Sequence, residues 1–126
     1  MSPSQNKSRR AAERRGHASE SLAALWLRLK GYRILERRLK TRAGEIDLVA
    51  AAPFGPVCFI EVKARGLVAS AAQAVTRTQQ ARIARAASLY LSARPHLSRR
   101  GARFDIIAVT PYSFPVHHRD AWQAEF

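Results

Sequence analysis

The chain has 126 residues, which suits one domain with a single core but excludes a catalytic domain joined to a separate recognition domain. Its 22 lysines and arginines outnumber its 9 acidic residues, for a net charge of +13. This charge predicts a polyanionic partner, and nucleic acid is favoured over membrane because no long basic helix with a bulky apolar face stands out. With no signal-peptide pattern and no apolar run of transmembrane length, we expect a cytoplasmic protein.

Residues 1–15 are polar and basic, which predicts a flexible arm ahead of one domain over residues 16–126. Such an arm can serve solubility alone or contact phosphates, and both interpretations stay open. The candidate phosphate-binding cations are Arg9, Arg10, Arg14 and Arg15.

Residues 17–30 carry apolar side chains at helical spacing, so we predict a helix that packs on a sheet through this stripe and ends at Gly31. Glu20 lies in the first turn, where the helix dipole favours a carboxylate. The stripe consists of Leu22, Leu25, Trp26 and Leu29.

Residues 32–39 predict a strand rich in cations, which is typical of a sheet edge. Cations on an edge strand protect against aggregation or bind phosphate, and the sequence supports both equally. They are Arg33, Arg37, Arg38 and Lys40.

The pattern of residues 44–65 predicts a β-hairpin that carries acidic residues at positions where apolar core residues are expected. Alternation on the first strand places Ile46, Leu48 and Ala50 on one face and Glu45, Asp47 and Val49 on the other. The second strand begins with an apolar run that includes Cys58, predicted to be a small buried residue. Glu61 and Lys63 follow that run and point the same way.

Asp47, Glu61 and Lys63 can converge from adjacent strands in two ways. Carboxylate oxygens suit Mg²⁺ or Mn²⁺, and the lysine can orient water or offset charge on a phosphate. The alternative is an ordinary cross-strand salt bridge between Lys63 and Asp47 or Glu61.

Residues 71–93 predict a crossover helix with Arg77, Arg82 and Arg85 on its outer, solvated face, followed by a mobile basic connection over residues 94–101. The next strand, from Arg103 to Thr110, should run parallel to the strand that carries Glu61. Asp105 is predicted to pair with Arg103 or another cation. In the tail, His117 and His118 are adjacent and point apart, which disfavours a shared metal.

An acid at Asp47 followed by Glu61-Val62-Lys63 resembles the PD-(D/E)xK nuclease signature. Four blocks together resemble, in order and spacing, the YraN family of small bacterial nuclease-like proteins, over residues 16–122. The blocks are Gly31-Tyr32-Arg33-Ile34, Gly44-Glu45-Ile46-Asp47-Leu48, Phe59-Ile60-Glu61-Val62-Lys63-Ala64-Arg65 and Arg103-Phe104-Asp105.

The resemblance implies an α/β fold with a restriction-endonuclease-like core, a mixed sheet of about four strands flanked by helices. It implies that Asp47, Glu61 and the backbone carbonyl of Val62 hold Mg²⁺ or Mn²⁺. Lys63 would act in catalysis, and Glu20 would approach the metal. Further candidates are Arg65 and Arg77 for nucleic-acid binding and Glu45, Gln73 and Gln79 as accessory residues.

The function expected from these features is endonucleolytic hydrolysis of DNA, selective for branched or junction structures, in repair, recombination or processing. The alternative is a non-catalytic nucleic-acid-binding protein that retains the fold, and a third hypothesis is an assembly factor that docks on protein or RNA. Resemblance to junction resolvases, which work as pairs, adds a homodimer through the edge strand or the aromatic tail around Phe114 and Trp122.

Overall fold

The computed structural model describes residues 3–64 and 75–124, with side chains described from residue 16 onward. In chain order the elements are α1 (Pro3–Leu29), β1 (Arg33–Thr41), β2 (Gly44–Ala51), β3 (Val57–Lys63), α2 (Arg77–Ser92), α3 (Pro95–Ser98), β4 (Ala102–Ala108) and β5 (Val116–Trp122). Within these ranges no helix combines the length and the apolar character needed to cross a bilayer.

The five strands form one mixed sheet in the order β1-β2-β3-β4-β5. Strands β3 and β4 are parallel and the other neighbours are antiparallel, which confirms the predicted hairpin and crossover. One buried cluster joins α1 to the sheet through residues such as Leu27 and Ile60, and the other joins α2 to it through residues such as Ile83 and Phe59. The predicted α/β class and the mixed sheet flanked by helices are confirmed.

The sheet has one strand more than expected, because β5 lies in the segment described only as an aromatic tail. Its sequence contains two histidines, an arginine and an aspartate, so it lacks an apolar strand pattern. An edge strand covered on one side tolerates this composition, since only some of its positions reach the core.

Helix α1 begins at Pro3, so the predicted start at His17 was wrong, and the helix includes most of the segment assigned to a flexible arm. Alanine, arginine and glutamate in residues 9–15 are strong helix formers, and proline is tolerated in a first turn. Whether residues 1–15 act as an arm separate from the domain stays a prediction.

The predicted packing stripe of α1 was also wrong. Leu22, Leu25 and Leu29 are 49%, 51% and 72% exposed, while the buried side is made of smaller residues. Alanines let the helix axis approach the sheet closely, so packing selected a stripe of small side chains over the larger one. The buried positions are Ser19, Glu20, Ala23, Ala24 and Leu27.

Helix α2 begins at Arg77 rather than at Ala71, and residues 65–74 lie outside the described chain. The start is set by a capping box in which the Thr76 side chain accepts from Gln79 N–H while the Gln79 side chain accepts from Thr76 N–H. The spacing Thr-x-x-Gln is visible in the sequence and would have located this start.

The connection after α2, predicted to be mobile, contains the short helix α3 and is tied to the β2–β3 turn. Arg100 donates from Nη2 to Ala52 O at 2.6 Å and from Nε to Gly55 O at 2.9 Å. One of the basic residues in this connection therefore holds two parts of the backbone together.

Candidate metal and phosphate site

The candidate site lies where β2 and β3 separate. Their antiparallel register runs from Ala51–Val57 to Leu48–Ile60, so Asp47, Glu61 and Val62 lie just beyond the last pair. At this point the Val62 N–H donates to Asp47 Oδ2 at 2.8 Å. A carboxylate has thus replaced a strand carbonyl as the partner of Val62, which anchors Asp47 between the two strands.

The carbonyl of Val62 faces the same gap. Lys63 O accepts from Val109 N–H at 2.7 Å, so the backbone polar groups of Lys63 are directed at the continuation of β4. Successive residues of a strand direct these groups to opposite sides, and those of Val62 therefore point toward β2. The gap brings together the Asp47 carboxylate and the Val62 carbonyl.

An irregular pleat in β1 and β2 accompanies this arrangement. Ile46 packs in the α2-side cluster with Val49, whereas Leu48 and Ala50 pack on the α1 side, so the predicted grouping of Ile46 with Leu48 and Ala50 was wrong. The alternation changes phase at Asp47.

Arg38 occupies the position opposite Asp47, since Arg37 faces Leu48 and Leu39 faces Ile46. Its φ of +52° is left-handed, a conformation that costs a non-glycine residue about 1 to 2 kcal/mol. The phase change of the pleat thus coincides with a strained residue on the neighbouring strand.

Glu61 is half-buried beside Asp47. Burial raises the pKa of Glu61 most, the charge of Asp47 and a side-chain hydrogen bond with Asp47 raise it further, and Lys63 opposes them. Lys63 Nζ lies 3.9 Å from Glu61 Oε1, so the predicted salt bridge is present for this pair. The two carboxyl groups repel each other when both are ionised, and a divalent cation or a proton would relieve this repulsion.

Glu20 reaches the site from α1 and is buried, at 5% exposure. Its Oε1 has no hydrogen-bond partner among the described residues, although Arg38 Nε lies at 3.7 Å and Arg37 Nε at 3.9 Å. Burial raises the pKa of Glu20, Arg38 lowers it, and the charge of Asp47 raises it again. Glu20 is therefore near Asp47 and incompletely satisfied.

A pocket of about 250 Å³ opens on the α2 side of Asp47 and Glu61. The predicted accessory residues Glu45 and Gln79 line it, together with Arg82, which we had assigned to a solvated helix face. The signal that could have found Arg82 is its spacing of three residues from Gln79 on one helix face. The remaining lining residues are Gly44 and Ile83.

Other predicted site residues lie apart from this pocket or outside the described chain. Arg77 lines a different pocket with Trp122, and Arg65 and Gln73 belong to the undescribed segment 65–74. The four arginines of residues 9–15 are on α1, with their side chains undescribed.

These residues fit a divalent cation in part. Across residues 16–64 and 75–124, no three side chains of His, Cys, Asp or Glu are grouped closely enough to hold a metal, so Glu20 does not complete a set with Asp47 and Glu61. Two adjacent carboxylates and a backbone carbonyl remain, all oxygen donors of the kind that Mg²⁺ and Mn²⁺ bind along with water.

A second charged cluster, which we call the Asp105 network, was only partly predicted. Asp105 is fully buried, and Arg103 donates to it from Nε at 2.9 Å and Nη2 at 2.8 Å, which confirms the expected Arg103 pairing. His117 Nε2 lies 2.8 Å from Asp105 Oδ2, and Asp120 N–H donates to Oδ1 at 2.9 Å. Arg103 Nη2 also donates to Tyr32 Oη at 2.7 Å.

Lys30 completes the Asp105 network through a contact with His117 Nδ1. An ammonium has no acceptor, so His117 Nδ1 accepts and the ring proton on Nε2 is donated to Asp105. Burial lowers the pKa of His117, Asp105 opposes this, and Lys30 lowers it again. The histidine is thereby held neutral.

Trp122 is buried, at 7% exposure, and stacks on Phe104 with ring centroids 4.3 Å apart. It does not contribute an exposed aromatic surface, contrary to its assignment as part of a dimer interface. Phe114 is 77% exposed and stacks on Trp26 at 5.4 Å.

The chain is similar over most of its length to proteins described as one family. A model of the uncharacterised protein family UPF0102 matches residues 19–109. The UPF0102 protein of Agrobacterium fabrum is 52% identical over 118 residues, covering 94% of this chain and 96% of that protein. That of Paramagnetospirillum magneticum is 46% identical over 124 residues, covering 95% of each. The resemblance to the YraN family is confirmed, and the chain belongs to that family, UPF0102.

Proposed function

We propose that this protein is a metal-dependent endonuclease that hydrolyses phosphodiester bonds in DNA, with selectivity for branched structures. The observation that carries the proposal is the convergence of Asp47, Glu61 and Lys63 where β2 and β3 separate. An acidic site is unusual in a chain of net charge +13. A cation there and a phosphate beside it would account for both signs of charge.

Asp47, Glu61 and the carbonyl of Val62 would hold Mg²⁺ or Mn²⁺. The bound ion would supply an activated water and offset negative charge on the phosphate. The contact of Val62 N–H with Asp47 keeps one carboxylate in place before any ion arrives. Such preorganisation reduces the cost of assembling the site.

Lys63 is the catalytic cation in this proposal. Its ammonium is held near Glu61 at 3.9 Å, and its side chain is 15% exposed. At this position it can orient the attacking water or stabilise charge that develops on the phosphate. Glu20, which extends from α1, would accept hydrogen bonds from water near Asp47 through its unpartnered oxygen.

Selectivity for branched DNA is proposed from the absence of a base-reading element among residues 16–64 and 75–124. The β2–β3 turn is short, and α2 packs on the sheet through Ile83, Ala86 and Ala87, which leaves neither free to enter a groove. Contacts to phosphates would then dominate, and backbone geometry would choose the target. A homodimer is proposed with this selectivity, through the β1 edge or the exposed Phe114.

The experiment that tests this function is cleavage of random-sequence duplex, single strand, flap and four-way junction with Mg²⁺ or Mn²⁺ at fixed salt. We expect the junction or flap to be cut fastest. Lys63→Ala should abolish cleavage with little loss of DNA affinity, because one cation among 22 contributes little to the overall field.

The matched control is Lys40→Ala, which removes one exposed ammonium from β1 and should cleave like wild type. Wild-type protein that binds DNA but cuts neither DNA nor RNA with either ion would contradict the proposal. It would support the non-catalytic binding protein instead. Mass measurement in solution tests the homodimer separately.

A further inference from the structure

Arg38 combines a strained backbone with a position at the candidate site. It is one of four described non-glycine residues with positive φ. Phe54 and Tyr112 lie in turns, whereas Arg38 and Asp120 lie within strands. A left-handed residue inside a strand is uncommon for a side chain as long as arginine. Such outliers concentrate at functional sites.

The contacts of Arg38 do not by themselves explain why arginine occupies this position. Its Nε lies 3.7 Å from Glu20 Oε1, which is longer than a hydrogen bond, and its side chain is 45% exposed. The neighbouring Arg37 is engaged differently, since its Nη2 donates to Ser21 Oγ at 2.8 Å. Ion pairs of the Arg38 kind contribute little to stability.

We propose that Arg38 binds a phosphate of the nucleic-acid strand that enters the site, and so positions the scissile bond beside Asp47 and Glu61. Arg38 lies opposite Asp47 across the β1–β2 pairing, and its guanidinium can form two parallel hydrogen bonds with phosphate oxygens. Glu20 attracts the Arg38 side chain at 3.7 Å without forming a hydrogen bond, so the guanidinium N–H groups can still donate to a phosphate. This inference rests on the proposed function and names the residue that would place its substrate.

The structure separates this role from a structural one through the backbone. Glycine adopts φ of +52° without strain, so Arg38→Gly should preserve or raise the thermal unfolding midpoint. A residue kept for stability would show the opposite result. Arg38→Asn is the second variant, because asparagine also tolerates the left-handed region.

The test is binding of a fixed-sequence four-way DNA junction in EDTA, measured by fluorescence anisotropy across a salt series, so that it does not depend on cleavage. Arg38→Gly should weaken binding by about tenfold at 0.1 M salt and reduce the salt slope by about one, as loss of one phosphate contact does. Arg33→Ala, at the far end of β1, is the control and should change affinity by about twofold or less.

Equal affinity and slope for Arg38→Gly and Arg33→Ala would overturn the role of Arg38 while leaving the proposed nuclease intact. A lowered unfolding midpoint in both Arg38→Gly and Arg38→Asn with unchanged binding would assign the residue to stability and overturn it as well. Wild-type protein that binds neither junction nor duplex would overturn both proposals. If Arg38 positions the substrate, Arg38→Gly should also raise the KM for junction cleavage with little effect on kcat.

Discussion

The carboxylates in the interior of this protein form two groups, which differ in how completely their oxygens are hydrogen-bonded. Asp105 is fully buried, yet bonds from Arg103, His117 and the Asp120 amide outweigh burial and lower its pKa to about 2. Glu61 and Glu20 are less completely bonded, and burial raises the pKa of each. A buried acid with every oxygen hydrogen-bonded stabilises the fold. An acid beside another acid is instead stabilised by binding a proton or a cation.

The same difference separates the positions of the two groups in the sheet. The Asp105 network joins β4 and β5 to the C-terminal end of α1, at a register shift between Phe104 and Ile106 that has strand pairs on both sides. The acids Asp47 and Glu61 lie where β2–β3 pairing ends, and the backbone there is free to take other partners. Pairing that stops early exposes backbone and side-chain oxygens together.

The largest effect should follow from Asp105→Asn. It leaves the partly buried Arg103 without its carboxylate and disrupts the contact with His117, so we expect the free energy of unfolding in urea to fall by about 3 to 5 kcal/mol. The matched control is Asp47→Asn, the same chemical change in the site, which should not lower stability. Equal losses in both variants would show that the two acids do not differ in kind.

Stability should depend on pH in opposite senses in the two regions. The folded pKa of Asp105 lies below its ordinary 3.8, so its contribution is present above that value and is lost, by about 2 kcal/mol, as pH falls toward 2. The folded pKa of His117 is also lowered, and stability falls as pH drops below 6.5. Urea unfolding of wild type and Asp105→Asn from pH 2 to 8 should show a flatter acid side in the variant.

Glu61 has the opposite sign. Its folded pKa is raised above 4.5, so its contribution to stability is complete below that value and is lost as pH rises through the folded pKa. Asp47→Asn removes the neighbouring charge, lowers the pKa of Glu61 and should flatten this decline above pH 5. If stability declines equally in Asp47→Asn and wild type, the charge of Asp47 does not raise the pKa of Glu61.

Mn²⁺ affinity should rise with pH for the same reason, because the ion must displace the proton held by Glu61. While that proton is bound, affinity should increase about tenfold per pH unit, as expected for exchange of one proton. Calorimetry at pH 6, 7 and 8 measures this. Glu61→Gln should bind more weakly and lose the pH dependence, and pH-independent binding by wild type would place the ion elsewhere.

The smallest effect is expected for Glu20→Gln, which should raise stability at pH 7 by up to about 1 kcal/mol. Glutamine avoids the cost of burying an incompletely bonded charge. Glu36→Gln, on the exposed strand β1, is the control and should change stability by a few tenths of a kcal/mol. If Glu20→Gln also slows junction cleavage, the site has kept a destabilising acid for activity.

The sequence by itself determined the family, the α/β class, the β2–β3 hairpin and the β3–β4 crossover, and it singled out Asp47, Glu61 and Lys63. Local sequence patterns predict these features: an apolar run that ends in Glu-Val-Lys, alternation along strands and a helix of crossover length. Local patterns also predicted the pairing of Arg103 with Asp105, two positions apart on one strand, and the burial of Cys58, whose pKa burial raises to about 12.

Only the tertiary structure decided which stripe of α1 is buried, where the pleat of β1 and β2 changes phase, and which side chains complete each charged cluster. Leu22 and Leu25 have the helical spacing of a core stripe, but Ala23 and Ala24 allow closer approach to the sheet, and packing distance between elements is not encoded in spacing along one of them. Arg38 meets Asp47, and His117 meets Asp105, across strand pairings. Register between strands, rather than any local pattern, brings these charges together.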